Sequence, residues 1–228
     1  MGYTTEFEGK FALDRPLSEA QAEYLHKFNA TRRMKRRAHI AATMTDPVRE
    51  AVCLSLGGDD APYFTGGLGF MGQDRDASVV DGGNTEPDGQ PGLWCQWVPT
   101  EDRCGIEWDG GEKFYRYAEW LQYLMGHFLT LWGFTVSGEV SYQGENDDDR
   151  GVLRVVNGKV EKTEAPPEPE VSEVDAWKRL AIARAHIGRD TTIGDYAAKE
   201  AARAERDLRA LGVDVDHEAA EFMREAVL

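Results

Sequence analysis

The segment GLWCQWVPTEDRCGIEWDGGEKFY, residues 92–115, decides the fold, because it combines two short apolar stretches, a polar turn and a glycine pair. LWCQWV and GIEW have the composition of strands and are joined by PTEDRC, which predicts a β-hairpin. Asp109 and Glu112 have the spacing of a reciprocal helix cap, and Gly110 and Gly111 fit a tight turn from strand into helix. The segment therefore predicts strand, turn, strand and helix start, not a catalytic cluster.

Upstream of this segment, periodic apolar residues predict a strand followed by a helix. Residues 3–13 alternate between apolar and polar side chains, as in a strand with one buried face. Ser18 and Gln21 form a capping box for a helix that runs to about Met34.

Downstream, apolar residues recur every three and four positions and predict a long helix that ends at Gly133. Alternation then resumes, and Asn157-Gly158 predicts a final hairpin. The resulting order of elements predicts an α+β fold: a mostly antiparallel sheet with two helices on one face, ferredoxin-like or a related two-layer sandwich.

The chain divides by composition into a domain, a linker and a tail. Residues 1–163 form the α+β domain, interrupted by a long loop at about 45–91 whose apolar residues indicate that part of it is packed down. Residues 164–174 are a Pro/Glu-rich linker. Residues 175–228 form a helical tail with few large apolar groups, so we expect it to dock on the domain, on a partner or on a second copy in a homo-oligomer.

Composition limits the compartment and the class of partner. The 228 residues contain no long uncharged apolar run and no secretory signal, which predicts a cytoplasmic protein without a membrane partner. Cys53, Cys95 and Cys104 lack CxxC spacing, as a reducing compartment permits, although Cys95 and Cys104 could face each other across the hairpin and pair under oxidation. No cofactor is expected.

Charge is unevenly distributed along the chain. Between residues 47 and 170, 23 acidic and 9 basic side chains give a net charge of −14, within a total of −15. Because cations that neutralise phosphates supply most nucleic-acid affinity, we expect a protein partner rather than a nucleic acid. The basic cluster Arg32–Arg37 predicts either a solvated helix exit or a small anionic contact patch.

Aromatic residues supply the main candidates for binding. Trp120, Tyr123 and His127 share the face of the long helix that its two apolar rows leave over, so they form either an exposed interaction stripe or a surface covered by loop 60–90 or the tail. Trp97 and Trp108 could provide a stacking wall for a ligand.

The alternation of the first strand in the opening segment separates its side chains into two sets. Trp94 and Gln96 share one face, while Cys95 and Trp97 share the other. At least one large ring should therefore point away from the helices, and an exposed ring there is where we expect a ligand.

Two polar clusters are weaker candidates. Asp74, Arg75 and Asp76 could serve acid–base or metal chemistry, or form surface ion pairs. They follow a G-x-G-x-x-G sequence that lacks the strand and helix of a nucleotide loop, which favours a packed glycine-rich loop. Asp147 and Asp149 could bind a divalent metal, but their run lacks the order of an EF-hand and favours a solvated hairpin loop.

Several blocks resemble uncharacterised bacterial and bacteriophage proteins over residues 1–162. The blocks are DRPLSEAQAEYLHKF, TRRMKRR, GFMGQDRDASVVD, QPGLWCQWVPTED, IEWDGGEKFYRYAEWLQYL and GEVSYQGENDDDRG. The resemblance implies a protein made inside a bacterium, by the cell or by a phage, and it implies no activity, cofactor or catalytic residue.

Three functional hypotheses follow from the sequence. The favoured one is a non-catalytic binding or regulatory protein, encoded by the cell or by a phage and acting on a host macromolecule, since nucleophile and zinc motifs are missing. The second is a small-molecule-binding domain or enzyme with its site under the Gly/Asp-rich loop 63–81. The third is an acidic nucleic-acid mimic.

Overall fold

The computed structural model describes residues 2–67, 72, 75–146, 148–164, 173–186, 191–213 and 215. The chain forms two compact units, Met1–Pro166 and Pro167–Leu228.

The first unit contains one seven-stranded sheet in which every pair of neighbouring strands is antiparallel. The strands are β1 Thr5–Gly9, β2 Phe11–Leu13, β3 Trp97–Pro99, β4 Gly105–Trp108, β5 Val136–Gly144, β6 Arg150–Val156 and β7 Lys159–Glu164. Their order is β3-β4-β2-β5-β6-β7, with β1 also on β5. Because Gly9 pairs with Val140 and Ala12 with Ser137, β1 and β2 share one register and form the two halves of the predicted first strand.

Helices cover one face of this sheet. They are α1 Glu19–Ala30 and α4 Tyr117–Leu124, and α4 continues as a π-helical turn, Met125–Leu129. Two short helices, α2 Ala38–Ala41 and α3 Pro47–Ala51, follow α1 in the chain, and α3 packs on α1. Apolar residues of α1, α4 and the inward face of the strands form one continuous core, whereas Glu8, Ser137, Glu139 and Ser141 leave the opposite face polar and exposed. The predicted α+β fold is confirmed.

The strand order also matches the ferredoxin-like arrangement. The β1/β2 strand, α1, β3, β4, α4 and β5 follow one another as β-α-β-β-α-β, and the first strand lies between β4 and β5. The last two strands, β6 and β7, extend the sheet beyond this unit as a meander.

Local signals at the helix and hairpin ends are largely confirmed. Ser18 and Gln21 exchange both bonds of a capping box. Gly133 has a φ of 79° where the helical segment ends, and Asn157 and Gly158 have φ values of 51° and 76° in the β6–β7 turn. Such positive values suit the left-handed positions of a type I′ turn.

The predicted cap at Asp109 and Glu112 is wrong. The helix α4 begins only at Tyr117, after Arg116 in a left-handed conformation with φ 54°. The Asp109 Oδ1 instead accepts a hydrogen bond from the backbone N–H of Gly111 at 2.8 Å, which closes a local turn. The glycine pair therefore leads into an irregular segment rather than directly into a helix.

The long loop wraps around the basic cluster Arg32–Arg37, so the cluster is solvated only in part: Arg33 and Arg36 are buried, whereas Arg37 is exposed. The helix α1 ends at Ala30, and the backbone N–H groups that follow donate to loop carbonyls on several sides: Arg33 to Leu93, Lys35 to Thr85, Arg36 to Asp60 and Arg37 to Ser78. The cluster thus forms the central strip around which the loop is wrapped. The loop carbonyls there accept hydrogen bonds from the protein backbone instead of from water.

Two arginines of the basic cluster are buried. Arg33 is 2% exposed, and its guanidinium donates to the carbonyls of Phe28, Pro62 and Phe64 and lies 4.1 Å from the centroid of the Phe28 ring. Arg36 forms an ion pair with Asp76 at 2.7 Å. Burial lowers the pKa of Arg33. The loop is therefore held by arginine side chains inside the protein, although arginine is usually found at protein surfaces.

The cysteines of the hairpin do not face each other. Trp97 pairs with Trp108 and Pro99 with Ile106, so Cys104 lies at the turn end of the hairpin and Cys95 lies before its first strand. All three cysteines are free thiols, and Cys95 is buried.

The described part of the second unit contains two helices, α5 Glu173–His186 and α6 Thr191–Ala210. Small residues such as Ala183 and Ala204 pack between them with Leu180 and Leu208. An Arg179–Asp207 ion pair of 2.6 Å links the two helices on one side. The last part of the predicted helical tail, residues 216–228, lies outside the described residues, as does most of the predicted linker.

Candidate functional site

The predicted exposed stripe on α4 is covered by the loop. Trp120 is 0% and Tyr123 is 7% exposed. The Gln90 Nε2 donates to the Tyr123 hydroxyl at 2.9 Å, and the Arg116 guanidinium donates to the carbonyl of Pro91. Of the two sequence interpretations, the structure therefore supports coverage by loop 60–90.

His127 is the exposed member of this set, and it joins the helix to the loop. Its Nδ1 lies 2.7 Å from the Tyr63 hydroxyl, and its ring stacks on Tyr123 with centroids 4.0 Å apart. Desolvation by these neighbours lowers the pKa of His127. A neutral imidazole with an unprotonated Nδ1 accepts a hydrogen bond from the Tyr63 hydroxyl. The pair therefore fastens the loop at the point where the helix becomes a π turn.

Trp97 and Trp108 have structural partners. Trp97 is buried at the centre of the core, where its Nε1 donates to the Tyr117 carbonyl at 2.7 Å. Trp108 is half-buried against Phe7, and its Nε1 donates to Gln96 Oε1. Trp97 cannot therefore form an open stacking wall, and Trp108 acts on the neighbouring surface by orienting Gln96.

The first polar cluster is only partly described. Asp74 lies outside the described residues and Arg75 is exposed. Asp76 accepts hydrogen bonds from Arg36 and Ser78, and these bonds hold its pKa below the usual value despite partial burial. Its carboxylate is therefore committed to holding the loop.

The second polar cluster is also accounted for in part. Asp147 lies outside the described residues. Asp149 accepts a hydrogen bond from the Tyr3 hydroxyl at 2.8 Å and lies 3.9 Å from Lys162 Nζ. Within the described ranges, no three His, Cys, Asp or Glu side chains are grouped so that they could hold a metal ion.

A cleft of about 780 Å³ lies beside the edge strand β3. Three parts of the first unit supply most of its lining: the end of α1, the segment that leads into β3, and the irregular segment between β4 and α4; Glu86 of the long loop and Trp120 of α4 complete it. Its lining residues are Asn29, Ala30, Glu86, Pro91, Gly92, Leu93, Trp94, Cys95, Gln96, Asp109, Gly111, Glu112, Lys113, Tyr115 and Trp120. Its size falls within the range of small-molecule sites.

Strand-like alternation explains how the opening segment supplies one wall. Cys95 and Trp97 are buried in the core, while Trp94 and Gln96 are half-buried and line the cleft. The sequence predicts that at least one large ring of this segment points away from the helices, but Trp94 lies in a cleft whose lining includes Asn29 and Ala30 at the end of α1. The Arg32 guanidinium lies 6.0 Å from the centroid of the Trp94 ring and is held by the Gly83 carbonyl.

A second wall is the irregular segment before α4, which is bonded to the first because Gln96 Nε2 donates to the Glu112 carbonyl at 2.8 Å. Lys113 and Arg116 both have left-handed backbone conformations, with φ values of 60° and 54°. Between them, Phe114 is buried in the core and Tyr115 is 55% exposed, with its hydroxyl accepting from the backbone N–H of Tyr3. Uncommon conformations at two non-glycine residues store strain that is often found at functional sites, and here they turn Tyr115 outward.

Carboxylates outnumber cations in the cleft. Glu86, Asp109 and Glu112 line it together with one ammonium group, that of Lys113. Partial burial of the carboxyl raises the pKa of Asp109, although the residue is exposed overall and hydrogen bonds from Gly111 and Asn29 act in the opposite direction. The site can therefore present negative charge and hydrogen-bond acceptors between aromatic surfaces.

One thiol forms part of the cleft wall, and it is unreactive. Burial raises the pKa of Cys95 to about 12, so it stays a neutral thiol at physiological pH. The nucleophilic form of cysteine is the thiolate, and Cys95 is therefore a packing residue.

Sequence reasoning did not single out Asn29, Glu86 or Tyr115 as site residues. Asn29 belongs to α1, Glu86 to the long loop and Tyr115 to the segment that was expected to be helical. Only the acidic and aromatic content of residues 92–115 pointed to this region, and the carboxylates there were assigned to a cap.

No protein-family model, curated protein or solved structure matches the chain. Among the described helices, none has both the length and the apolar content needed to cross a membrane.

Proposed function

We propose that this is a non-catalytic binding protein that engages a partner protein through the cleft of Trp94, Tyr115 and Asp109. The observation that carries the proposal is an indole and a phenol ring left accessible beside carboxylates, although the same unit buries most of its other aromatic residues. Tryptophan and tyrosine are enriched among the residues that dominate binding energy at protein interfaces. The cleft replaces the covered Trp120–Tyr123–His127 stripe as the interaction surface.

The setting of this function is the bacterial cytoplasm, where the partner is a host macromolecule and the protein is made by the cell or by a phage. This part of the proposal rests on the resemblance of residues 1–162 and on the composition of the chain. The high negative charge of residues 47–170 supports a protein partner, because it repels nucleic-acid phosphates.

Gly92 offers a way to close the cleft without removing a contact. A Cβ atom at Gly92 would meet only Trp120 Nε1, at 3.8 Å, which is ordinary van der Waals contact. Gly92→Ala should therefore fit, whereas Gly92→Phe should project a ring into the cleft. The two variants form a matched pair at one position.

The experiment compares proteins captured from a bacterial lysate by the wild type, Gly92→Ala, Gly92→Phe and Trp94→Ala. We expect a partner that the wild type and Gly92→Ala retain and that the other two variants lose. Circular dichroism and thermal unfolding check that all four proteins are folded. Equal capture by all four, or capture of no protein by the wild type, would contradict the proposal.

A small-molecule site is the second candidate, and the raised pKa of Asp109 favours it. A carboxyl group whose pKa is raised by burial is suited to general acid catalysis. Native mass spectrometry of the purified protein tests this candidate: it expects a small molecule that copurifies with the wild type and Gly92→Ala and is lost in Gly92→Phe. A wild-type mass equal to that of the chain alone counts against it.

A further inference from the structure

We infer that the group bound in the cleft is a cation, an arginine or lysine side chain that the partner protein presents between the aromatic walls. The inference rests on the proposed function and names the chemistry of its ligand. Two independent features carry it, the balance of charge in the cleft and the kind of surface that surrounds that charge.

The balance of charge favours a cation. Glu86 on the loop, and Asp109 and Glu112 on the segment before α4, line the cleft, and the described lining contains one ammonium group, that of Lys113. Lys113 Nζ lies 3.9 Å from Glu112, so Glu86 and Asp109 are left in excess. The guanidinium of Arg32 stands next to Trp94, but it is committed to the Gly83 carbonyl and to Asn84 Oδ1. A positively charged ligand would thus enter a cleft with carboxylates on two of its walls, and complementary charge is a general means of partner selection.

The aromatic surface selects how that cation is bound. Trp94 and Tyr115 both line the cleft, on two neighbouring segments that are joined by the hydrogen bond from Gln96 Nε2 to the Glu112 carbonyl. Trp120 also lines it but is 0% exposed, so Trp94 and Tyr115 supply the accessible aromatic surface. Cations are attracted to the faces of such rings, and tryptophan gives the strongest interaction. Arginine and lysine also have long apolar stems that pack on aromatic surface while the charged head stays near water. Carboxylates alone would suit many cations, whereas this combination suits an organic one.

The experiment uses two peptides that differ only in charge. One is an acetylated and amidated Gly-Ser-Arg-Ser-Arg-Ser-Gly, and its twin carries citrulline, the neutral isostere of arginine, at both positions. Tryptophan fluorescence and calorimetry measure binding to the wild type in about 0.15 M salt, where long-range attraction is screened. We expect the dissociation constant of the citrulline peptide to be at least about tenfold higher. A tenfold change in the dissociation constant has the size of one well-formed contact between a cation and an aromatic ring.

Protein variants locate the binding. Asp109→Asn should lower the affinity for the arginine peptide about fivefold. Glu8→Gln, which removes the same charge from the exposed opposite face of the sheet, should leave binding unchanged. Gly92→Phe should abolish binding, and Gly92→Ala should retain it.

Each other outcome overturns the inference. Equal binding of the two peptides means that the cleft does not select charge. Equal weakening by Asp109→Asn and Glu8→Gln means that only overall charge matters, and full binding by Gly92→Phe places the peptide elsewhere. Absence of arginine-peptide binding to the wild type also overturns it. The proposed function is judged separately by lysate capture, so a partner lost in Gly92→Phe would uphold that function even where the peptides fail.

Discussion

The sheet core and the long loop of the first unit are both ordered around buried groups, but the groups differ in kind. The sheet is held by apolar residues such as Phe11 and Leu153, which recur with the periodicity of strands and helices. The loop is held by Arg33 and Arg36, whose guanidinium groups bind carbonyls, a hydroxyl and a carboxylate inside the protein. One region thus depends on area removed from water, and the other depends on hydrogen bonds to buried cations.

The largest effect is expected from breaking the apolar region. Phe11 is 0% exposed on β2, and its ring packs against Trp97 with centroids 5.6 Å apart. Phe11→Ala removes this packing and leaves a cavity, so the free energy of unfolding should fall by about 4 kcal/mol. Denaturation by urea measures the change.

The control for this prediction is Phe11→Leu, which keeps most of the volume and should cost about 1 kcal/mol. The loss in Phe11→Ala should be global, so amides of the sheet and of the loop should lose protection from hydrogen exchange together. A loss of protection confined to the loop would show that the two regions do not depend on one core.

A second, smaller effect is expected from breaking the loop. Arg33→Met keeps an apolar stem but removes the guanidinium donors to the carbonyls of Phe28 and Phe64, while the Pro62 carbonyl keeps its bond from Gln90 Nε2. The free energy of unfolding should fall by about 3 kcal/mol, because buried acceptors without partners are costly. Hydrogen exchange should show that loop 60–90 loses more protection than β5 and β6.

Arg37→Met is the matched control. Arg37 belongs to the same basic cluster, but it is exposed, and its guanidinium donates to the Ala77 and Val79 carbonyls. Its replacement should change stability by less than about 0.5 kcal/mol. If Arg33→Met and Arg37→Met behaved alike, the contrast between the buried and the solvated arginines would be refuted.

The same contrast explains what the sequence could predict. Alternation and three-to-four periodicity predicted the sheet, the helices α1 and α4 and the turn at Asn157-Gly158, since those elements depend on local patterns of apolar residues. Strand-like alternation also predicted that Trp94 and Trp97 lie on opposite sides of their segment. The burial of Arg33 depends on carbonyls that lie up to 31 residues away in the chain, and no local pattern records such a contact.

The cleft was predictable only to the same extent. One wall follows from strand alternation, so Trp94 and Gln96 could be placed. The other wall depends on left-handed conformations at Lys113 and Arg116, and neither residue type signals such a conformation. Because these residues delay the start of α4, Asp109 faces the cleft instead of capping the helix.

A third prediction concerns the contact that fastens the loop to α4. Tyr63→Phe keeps the ring but removes the hydroxyl that lies 2.7 Å from His127 Nδ1. Stability should fall by about 1 kcal/mol, the contribution of one hydrogen bond. Urea denaturation measures it, and exchange of loop amides near Tyr63 should rise. An unchanged midpoint would show that ring packing alone holds this part of the loop.

The smallest effect is a pH dependence at His127, whose pKa lies below its usual 6.5 because its surroundings desolvate it. The unfolded chain therefore binds the proton more readily than the folded chain, so this contribution to stability is fully present above about pH 6.5 and is lost as the pH falls towards the folded pKa. Protonation also removes the Nδ1 acceptor from Tyr63.

His127→Gln isolates this contribution, because glutamine does not titrate. Urea midpoints of the wild type should fall more steeply than those of the variant between about pH 7 and pH 5. Parallel curves would mean that His127 does not couple the loop to the helix. A steeper wild-type curve would show that the Tyr63–His127 contact between the long loop and the helix titrates. That contact depends neither on apolar burial alone nor on a buried cation, and its protonation would weaken the cover that the loop gives to Tyr123.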